Sequence, residues 1–104
     1  MSIPVKIDPD LADLIPGYLD NRRADTEKMR AAVAAKDFDV VRVTGHNLKG
    51  TGAAYGFEPI STHGAALEQA GVAGLDGDVT AATAAANAEL DALEHYLGEV
   101  EIVH

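Results

Sequence analysis

One histidine, His46, lies in a stretch whose residue types and spacing suit it to group-transfer chemistry. Lys49 and Gly50 follow it by three and four residues, the spacings that share one face of an α-helix. A neutral imidazole has a lone pair available near pH 7 and can act as a nucleophile. A lysine one turn away could steady the oxygens of a phosphoryl group as a point charge. Gly50 has no side chain, so it would leave room for a second molecule to approach the imidazole.

A helix predicted from about Phe38 to about Tyr55 would place His46 in solvent. Successive residues of an α-helix are rotated by roughly 100°, so His46 falls about 160° from Leu48 when Leu48 is set at the centre of the buried face. The core stripe within about 60° of Leu48 comprises Val41, Thr44, Gly45, Thr51, Gly52 and Tyr55. The outer face around His46 comprises Asp39, Arg42, Gly50 and Ala53.

We predict that a partner docks on this outer face. Gly50 and Ala53 would leave clearance there, and Asp39 and Arg42 could contribute together with Val40 and Val43. An ordinary solvated face is the alternative interpretation of Asp39 and Arg42, and the pattern does not separate the two.

Three glycines inside this helix need an explanation, because each costs roughly 1 kcal/mol relative to alanine in a helix interior. Gly45 and Gly52 are predicted to face inward, where they could let a neighbouring helix pack closely. Gly50 is predicted to face outward, where no core neighbour needs the room. We therefore assign Gly50 to clearance for a partner rather than to packing.

The run from His46 to Gly50 (HNLKG), followed by Gly56 and by Leu67-Glu68, resembles the signature of histidine-containing phosphotransfer (HPt) domains. The longer run HNLKGTGAAYGF is similar to one bacterial branch of that family, and the resemblance covers essentially the whole chain. It implies that His46 is phosphorylated on its outward ring nitrogen and exchanges the phosphoryl group with an aspartate. The implied partners are response-regulator receiver domains and a hybrid histidine kinase. No cofactor is expected on this chain, and Mg²⁺ is expected on the receiver.

Two other functions compete with that of a phosphocarrier. A helical module of the same fold could dock a receiver domain or another signalling partner without phosphotransfer. A purely structural bundle is the weaker alternative, because it leaves the glycine at Gly50 unexplained. The chain is not expected to be a kinase, because it has no glycine-rich nucleotide loop.

The remaining histidines do not indicate a second site. His63 flanks the inward stripe of the next helix and is interpreted as a core or boundary residue, whereas His95 is assigned to the surface. No two histidines lie three or four residues apart, so no metal site is expected.

Length and charge restrict the class of protein. The 104 residues suffice for one domain with a modest core, and the domain is taken to span residues 1–104. A net charge of −9 argues against nucleic acid or an anionic membrane surface as a partner. There is no cysteine, no apolar run long enough for a signal peptide and no candidate membrane span. We expect a cytoplasmic monomer.

Helical patterns flank the His46 helix on both sides and predict an all-α fold. The expected architecture is an antiparallel four-helix bundle with a short extra N-terminal helix, and no strand is predicted. The chain is predicted to begin with an extended arm over residues 1–7 and an extra helix that starts at Asp8 and is interrupted at Pro16-Gly17. A helix from about Pro16 to Ala35 and then the His46 helix follow. The remaining segments are a helix opening at Glu58-Pro59, a glycine-rich loop from Gly71 to Gly77, and a last helix capped by Asp78 whose apolar stripe runs from Val79 to Val100.

Overall fold

Four long helices form the protein. The computed structural model describes residues 2–103, with side chains described as far as Val100. The helices are α1 (Ile15–Ala34), α2 (Phe38–Thr51), α3 (Glu58–Leu75) and α4 (Val79–Glu99). Each helix contributes to one shared core, whose largest fully buried side chains are Phe57, Ile15, Met29, Leu48, Ile60, Leu67, Leu90, Leu93 and Val41. The prediction of an all-α fold is confirmed.

Helix α2 begins where the sequence predicts and ends earlier. The side chain of Asp37 accepts a hydrogen bond from the backbone N–H of Val40 at 3.4 Å, which caps the first turn. The α-helix stops at Thr51, and Ala53–Tyr55 form a separate 3₁₀ turn instead of a last helical turn. Gly56 follows with φ at 93°, the left-handed conformation expected of a glycine that terminates a helix.

Helices α2 and α3 pack unusually close together, because glycines line their contact. A Cβ atom at Gly45 would lie 2.6 Å from the backbone nitrogen of Glu68, and one at Gly52 would lie 2.5 Å from that of Ser61. The two helices therefore run in opposite directions, the end of α2 lying beside the start of α3. Both glycines face inward as predicted, and each is required by the close approach of the two backbones.

The prediction of a glycine-rich loop from Gly71 to Gly77 is wrong, because α3 continues to Leu75. Gly71 and Gly74 face α2 rather than solvent. A Cβ atom at Gly71 would lie 2.5 Å from the backbone nitrogen of Arg42, and one at Gly74 would run into the ring of Phe38. These glycines extend the close contact of α2 with α3, and the turn that follows has only Gly77 in a left-handed conformation, at φ 100°.

Helices α1 and α4 also run in opposite directions and are joined by polar contacts. Arg23 Nη2 donates to the carbonyl oxygen of Leu97 at 3.1 Å. About two turns after Arg23, Arg30 Nε donates to Glu94 at 2.8 Å, and the same guanidinium contacts Asp91. The hydrogen bonds with Glu94 and Asp91 raise the pKa of the Arg30 guanidinium above its ordinary value.

The ends of the chain differ from the prediction in two ways. The extra N-terminal helix is only one 3₁₀ turn, Pro9–Leu11, although Asp8 caps it as expected. Pro16 belongs to the first turn of α1, so too few residues precede it for an independent helix. The second difference is a pair of strands, β1 (Ile3–Lys6) and β2 (Val100–Val103), which lie parallel with Ile3 opposite Val100.

Candidate functional site

His46 lies on the outer surface of α2, with its side chain 66% exposed. The inward side of the same helix is buried through Val41, Thr44 and Leu48, so the imidazole points away from the core as the wheel predicts. Gly50, one turn further on, faces open space, because an added Cβ atom would meet nothing within 4 Å. The ring is therefore accessible to a second molecule from the side of Gly50.

Glu68 of α3 contacts the ring directly. His46 Nδ1 lies 2.7 Å from Glu68 Oε2, and the Glu68 side chain is only 16% exposed. The backbone of α3 reaches this position because Gly45, the residue before His46, leaves no side chain between the helices. The glycine inside α2 thus serves the site as well as the packing, since it places the carboxylate beside the imidazole.

The contact decides which ring nitrogen carries the hydrogen. The hydrogen bond with His46 is the main cause that lowers the pKa of Glu68 from its ordinary value of 4.5, and it outweighs the opposing effect of burial. An ionised carboxylate can only accept hydrogen bonds, so Nδ1 of His46 must be the donor. In the neutral ring the lone pair therefore sits on Nε2. The arrangement makes Nε2 the nucleophilic nitrogen of an exposed imidazole.

Lys49 extends the same cluster. Its Nζ lies 3.4 Å from Glu68 Oε1, so the carboxylate bridges the imidazole and the ammonium through its two oxygens. The charge of Lys49 also helps to lower the pKa of Glu68. The Lys49 side chain remains 53% exposed, which leaves the ammonium available to an anionic group that approaches His46.

The residues predicted to dock a partner lie on the surface of α2 and the turn after it, around His46. Asp39 and Arg42 pair with each other, with Arg42 Nη2 donating to Asp39 Oδ1 at 2.7 Å. The backbone N–H of Ala53 donates to Ser61 Oγ at 2.7 Å, which joins this end of the surface to α3. Docking on this surface remains a prediction.

Val40, which is also predicted to contribute to that surface, is only partly exposed, and its part in docking remains a prediction. Its side chain is partly buried and packs against the core, because its position on the helix turns it toward the bundle. Val43 does reach the surface, with 42% of its area exposed.

Glu68 is the residue of the cluster to which the sequence alone assigns no role. It stands 22 residues after His46 and on another helix, so no local spacing links the two. The available signal was its place in the motif after Leu67, together with the glycines that predict close packing of the His46 helix against a neighbour. The contact of Glu68 with His46 depends on the register of α3 against α2, which the sequence does not show.

A second imidazole–carboxylate pair joins α3 to α4. His63 Nδ1 lies 2.7 Å from Glu89 Oε2, the same separation as in the first pair. The His63 side chain is only 23% exposed, which fits the predicted boundary position. The two pairs therefore share the hydrogen bond and differ in how far the imidazole is open to solvent.

A surface groove of about 390 Å³ lies between α1 and α2, apart from the His46 surface. Tyr18 and Tyr55 stack in it with ring centroids 4.4 Å apart, and Tyr18 shares a hydrogen bond of 3.0 Å with Thr51. Thr51 faces α1, whereas His46 faces outward beside α3. Among the residues with described side chains, 2–100, no group of three or more histidine, cysteine or acidic residues is arranged to hold a metal ion.

Comparison with known proteins identifies one relationship. A family model described as the Hpt domain matches residues 13–101. No curated protein and no solved structure gives a match. None of the helices described is both long and apolar enough to cross a membrane.

Proposed function

The chain belongs to the Hpt domain family, and on that basis we propose that His46 is its phosphoryl carrier. Hpt domains act in two-component signalling as phosphocarrier modules and are not kinases. The proposed donors and acceptors are the aspartates of receiver domains, with a hybrid histidine kinase as a further source. The observation that carries the proposal is the 2.7 Å contact of an exposed His46 ring with Glu68.

The transfer step needs no proton to move on this chain. The lone pair on Nε2 of His46 attacks the phosphorus of an aspartyl phosphate on the partner. A bond forms between nitrogen and phosphorus while the bond from phosphorus to the aspartate oxygen breaks, and the aspartate leaves as a carboxylate. The reverse step returns the phosphoryl group to an aspartate, with the imidazole as leaving group. Positioning and charge therefore matter more than acid–base groups.

Glu68 acts in this step as a positioning residue. Nδ1 keeps its hydrogen throughout, so the ring gains positive charge when Nε2 bonds to phosphorus. The carboxylate of Glu68 lies against that nitrogen and favours the charged ring. The same contact holds the imidazole in one tautomer and orientation, which is the usual role of a carboxylate behind a reacting histidine.

Lys49 supplies the positive charge on the side of the incoming phosphoryl group. Its ammonium rests 3.4 Å from Glu68 in the free protein and is exposed enough to turn toward phosphoryl oxygens. The chain binds no cofactor in this scheme. The Mg²⁺ that phosphoryl transfer requires belongs to the receiver partner.

The proposal is tested by incubating the protein with a phosphorylated receiver domain and Mg²⁺ and measuring its intact mass. One phosphate that is lost in acid and kept in alkali is expected on the wild type. His46→Gln should remain unphosphorylated, whereas His63→Gln should accept phosphate like the wild type. Because His63 has the same contact with a carboxylate, it is the matched control. Phosphate on His46→Gln would overturn the assignment, and binding without phosphate on the wild type would favour a non-catalytic docking module.

A further inference from the structure

The groove between α1 and α2 has the size and the walls of a small-molecule site. Its volume of about 390 Å³ lies within the range of about 300–1,000 Å³ that is typical of ligand pockets. Leu14, Tyr18 and Arg22 are spaced four residues apart, so they share the side of α1 that borders the groove. Thr51 and Tyr55 face them from the end of α2 and the turn that follows it.

Aromatic rings form the inner wall of the groove. Tyr18 is buried, Tyr55 is half-buried, and their stacked rings are inclined by 24°. The ring of Phe57, which is fully buried, lies 5.9 Å from that of Tyr18. Leu14 stands at the rim with 55% of its area exposed. A flat apolar ring that enters the groove can therefore pack against aromatic side chains that the core holds in place.

Arg22 is the charged residue that lines the groove. Its side chain is only 18% exposed, and its guanidinium carbon lies 4.6 Å from the centroid of the Tyr18 ring. Nε of Arg22 lies 2.8 Å from Asp25 Oδ2, close enough for an ion pair but without the alignment of a hydrogen bond. Within residues 2–100, no group accepts a hydrogen bond from the terminal nitrogens Nη1 and Nη2. The Tyr18 ring and Asp25 thus hold the guanidinium in place, and its two terminal nitrogens are available to a ligand.

The charge of Arg22 selects an anionic ligand. The two terminal nitrogens of a guanidinium match the two oxygens of a carboxylate, and such paired hydrogen bonds are stronger than those between neutral groups. Four of the eight lysines and arginines of the chain lie in α1, whereas α3 and α4 contain none. Because the net charge of −9 repels anions from most of the surface, a partly buried cation beside aromatic rings favours an anion that also carries a ring.

We propose that the groove binds a small aromatic carboxylate, with its ring against Tyr55 and its carboxylate on Nη1 and Nη2 of Arg22. Asn21, which is exposed and lines the groove, can hydrogen-bond a hydroxyl group on that ring. The site does not depend on the proposed function. Thr51 follows His46 by five residues, a rotation of about 140° around α2, so the ligand and a phosphotransfer partner occupy different sides of that helix.

The test is a titration of the ¹⁵N-labelled protein with 4-hydroxybenzoate, followed in ¹H–¹⁵N spectra. The uncharged 4-hydroxybenzamide and acetate are the matched compounds, since the first lacks the charge and the second lacks the ring. Arg22→Gln removes the guanidinium, and Arg22→Lys keeps the charge without the paired donors. Arg23→Gln is the control, because Arg23 pairs with Asp20 and lies outside the groove. Circular dichroism checks that each variant is folded.

We expect 4-hydroxybenzoate to shift the amide signals of Asn21, Thr51 and Tyr55 saturably, with a dissociation constant of about 1 mM or lower. Arg22→Gln should weaken binding about tenfold and Arg22→Lys by less, whereas Arg23→Gln should match the wild type. The amide and acetate should each bind at least about fivefold more weakly than 4-hydroxybenzoate.

The absence of saturable shifts, or equal dissociation constants for the wild type and Arg22→Gln, would overturn the proposal. Arg22→Lys decides the case if Arg22→Gln does not fold, and binding equal to the wild type would then overturn it. Acetate that binds as tightly as 4-hydroxybenzoate would contradict the role of the rings. Shifts centred on His46 and Lys49 would place the ligand outside the groove and contradict the proposal equally.

Discussion

His46 Nδ1 and Glu68 Oε2 lie 2.7 Å apart, although 22 residues and a change of helix separate them. The contact exists because Gly45 lets the backbone of α3 approach that of α2 next to the histidine. It fixes the hydrogen on Nδ1 and leaves the lone pair on Nε2, the nitrogen that faces solvent. A packing feature of the sequence thereby determines the chemistry available to the exposed ring.

The tautomer of His46 is expected to change when the carboxylate is removed. In Glu68→Ala nothing holds the hydrogen on Nδ1, so tautomers with Nε2 protonated should become populated. Because those tautomers have no lone pair on Nε2, transfer from a receiver should slow by roughly three- to tenfold. Long-range ¹H–¹⁵N spectra report the tautomer, and a timed transfer assay reports the rate.

Glu68→Gln is the matched variant for this prediction. An amide oxygen can still accept a hydrogen bond from Nδ1, so Gln should restore most of the tautomer preference that Ala loses. The positioning role would be contradicted if Ala and Gln gave the same tautomer populations as the wild type.

Lys49→Ala should slow phosphorylation of the protein without unfolding it. The exposed ammonium contributes up to about 1 kcal/mol to a charge pair of this kind, which corresponds to a rate lower by roughly two- to fivefold. Lys28→Ala removes an exposed lysine from α1 and serves as the control for net charge. Equal rates of phosphorylation and equal phosphohistidine lifetimes in the two variants would show that Lys49 is an ordinary surface lysine with no role in transfer.

Gly50→Gln should separate stability from transfer. The position is helical and open, so a side chain there should raise the free energy of unfolding by about 0.5–1 kcal/mol. The same side chain would stand beside His46 in the path of a partner, and transfer from a receiver should slow roughly fivefold or more. Gly17→Gln is the control, because Gly17 is an equally open position in α1. Unchanged transfer in Gly50→Gln would contradict the prediction that Gly50 leaves room for the partner beside His46.

Stability should depend on pH through Glu68. The hydrogen bond with His46 holds the pKa of Glu68 below its ordinary value of 4.5 in the folded protein. A carboxyl group whose pKa is lower in the folded state than in the unfolded state stabilises the fold. This contribution is complete above the pKa of the unfolded state and is lost as the pH falls through the pKa of the folded state. The free energy of unfolding of the wild type should therefore fall relative to Glu68→Gln as the pH is lowered from neutral past the ordinary glutamate pKa of 4.5. Urea titrations above and below that pKa check this, and a constant difference between the two proteins would contradict it.

The helix that carries His46 could be predicted from sequence because its evidence is local. The period of the apolar residues predicts Leu48 inward and His46 outward. These features depend only on neighbours within one or two turns. The same helical period predicts Gly45 and Gly52 at the packed face and Gly50 in open space, and all three positions are confirmed.

The errors arose where a residue's role depends on a distant partner. Gly71 and Gly74 predict a loop when they are considered alone, yet they face Arg42 and Phe38 across a close helix contact. Glu68 has no local feature that marks it, because its contact with His46 depends on the register of α3 against α2. The parallel pairing of β1 with β2 likewise joins the two ends of the chain.

In the proposed function, Nε2 of His46 carries the phosphoryl group while Nδ1 keeps its hydrogen against Glu68. The most direct measurement is a long-range ¹H–¹⁵N spectrum of the ¹⁵N-labelled protein after transfer from a phosphorylated receiver, with phosphorus coupling observed. We expect coupling to Nε2 of His46 alone, with Nδ1 protonated. Coupling to Nδ1, or to any nitrogen of His63 or His95, would contradict the account.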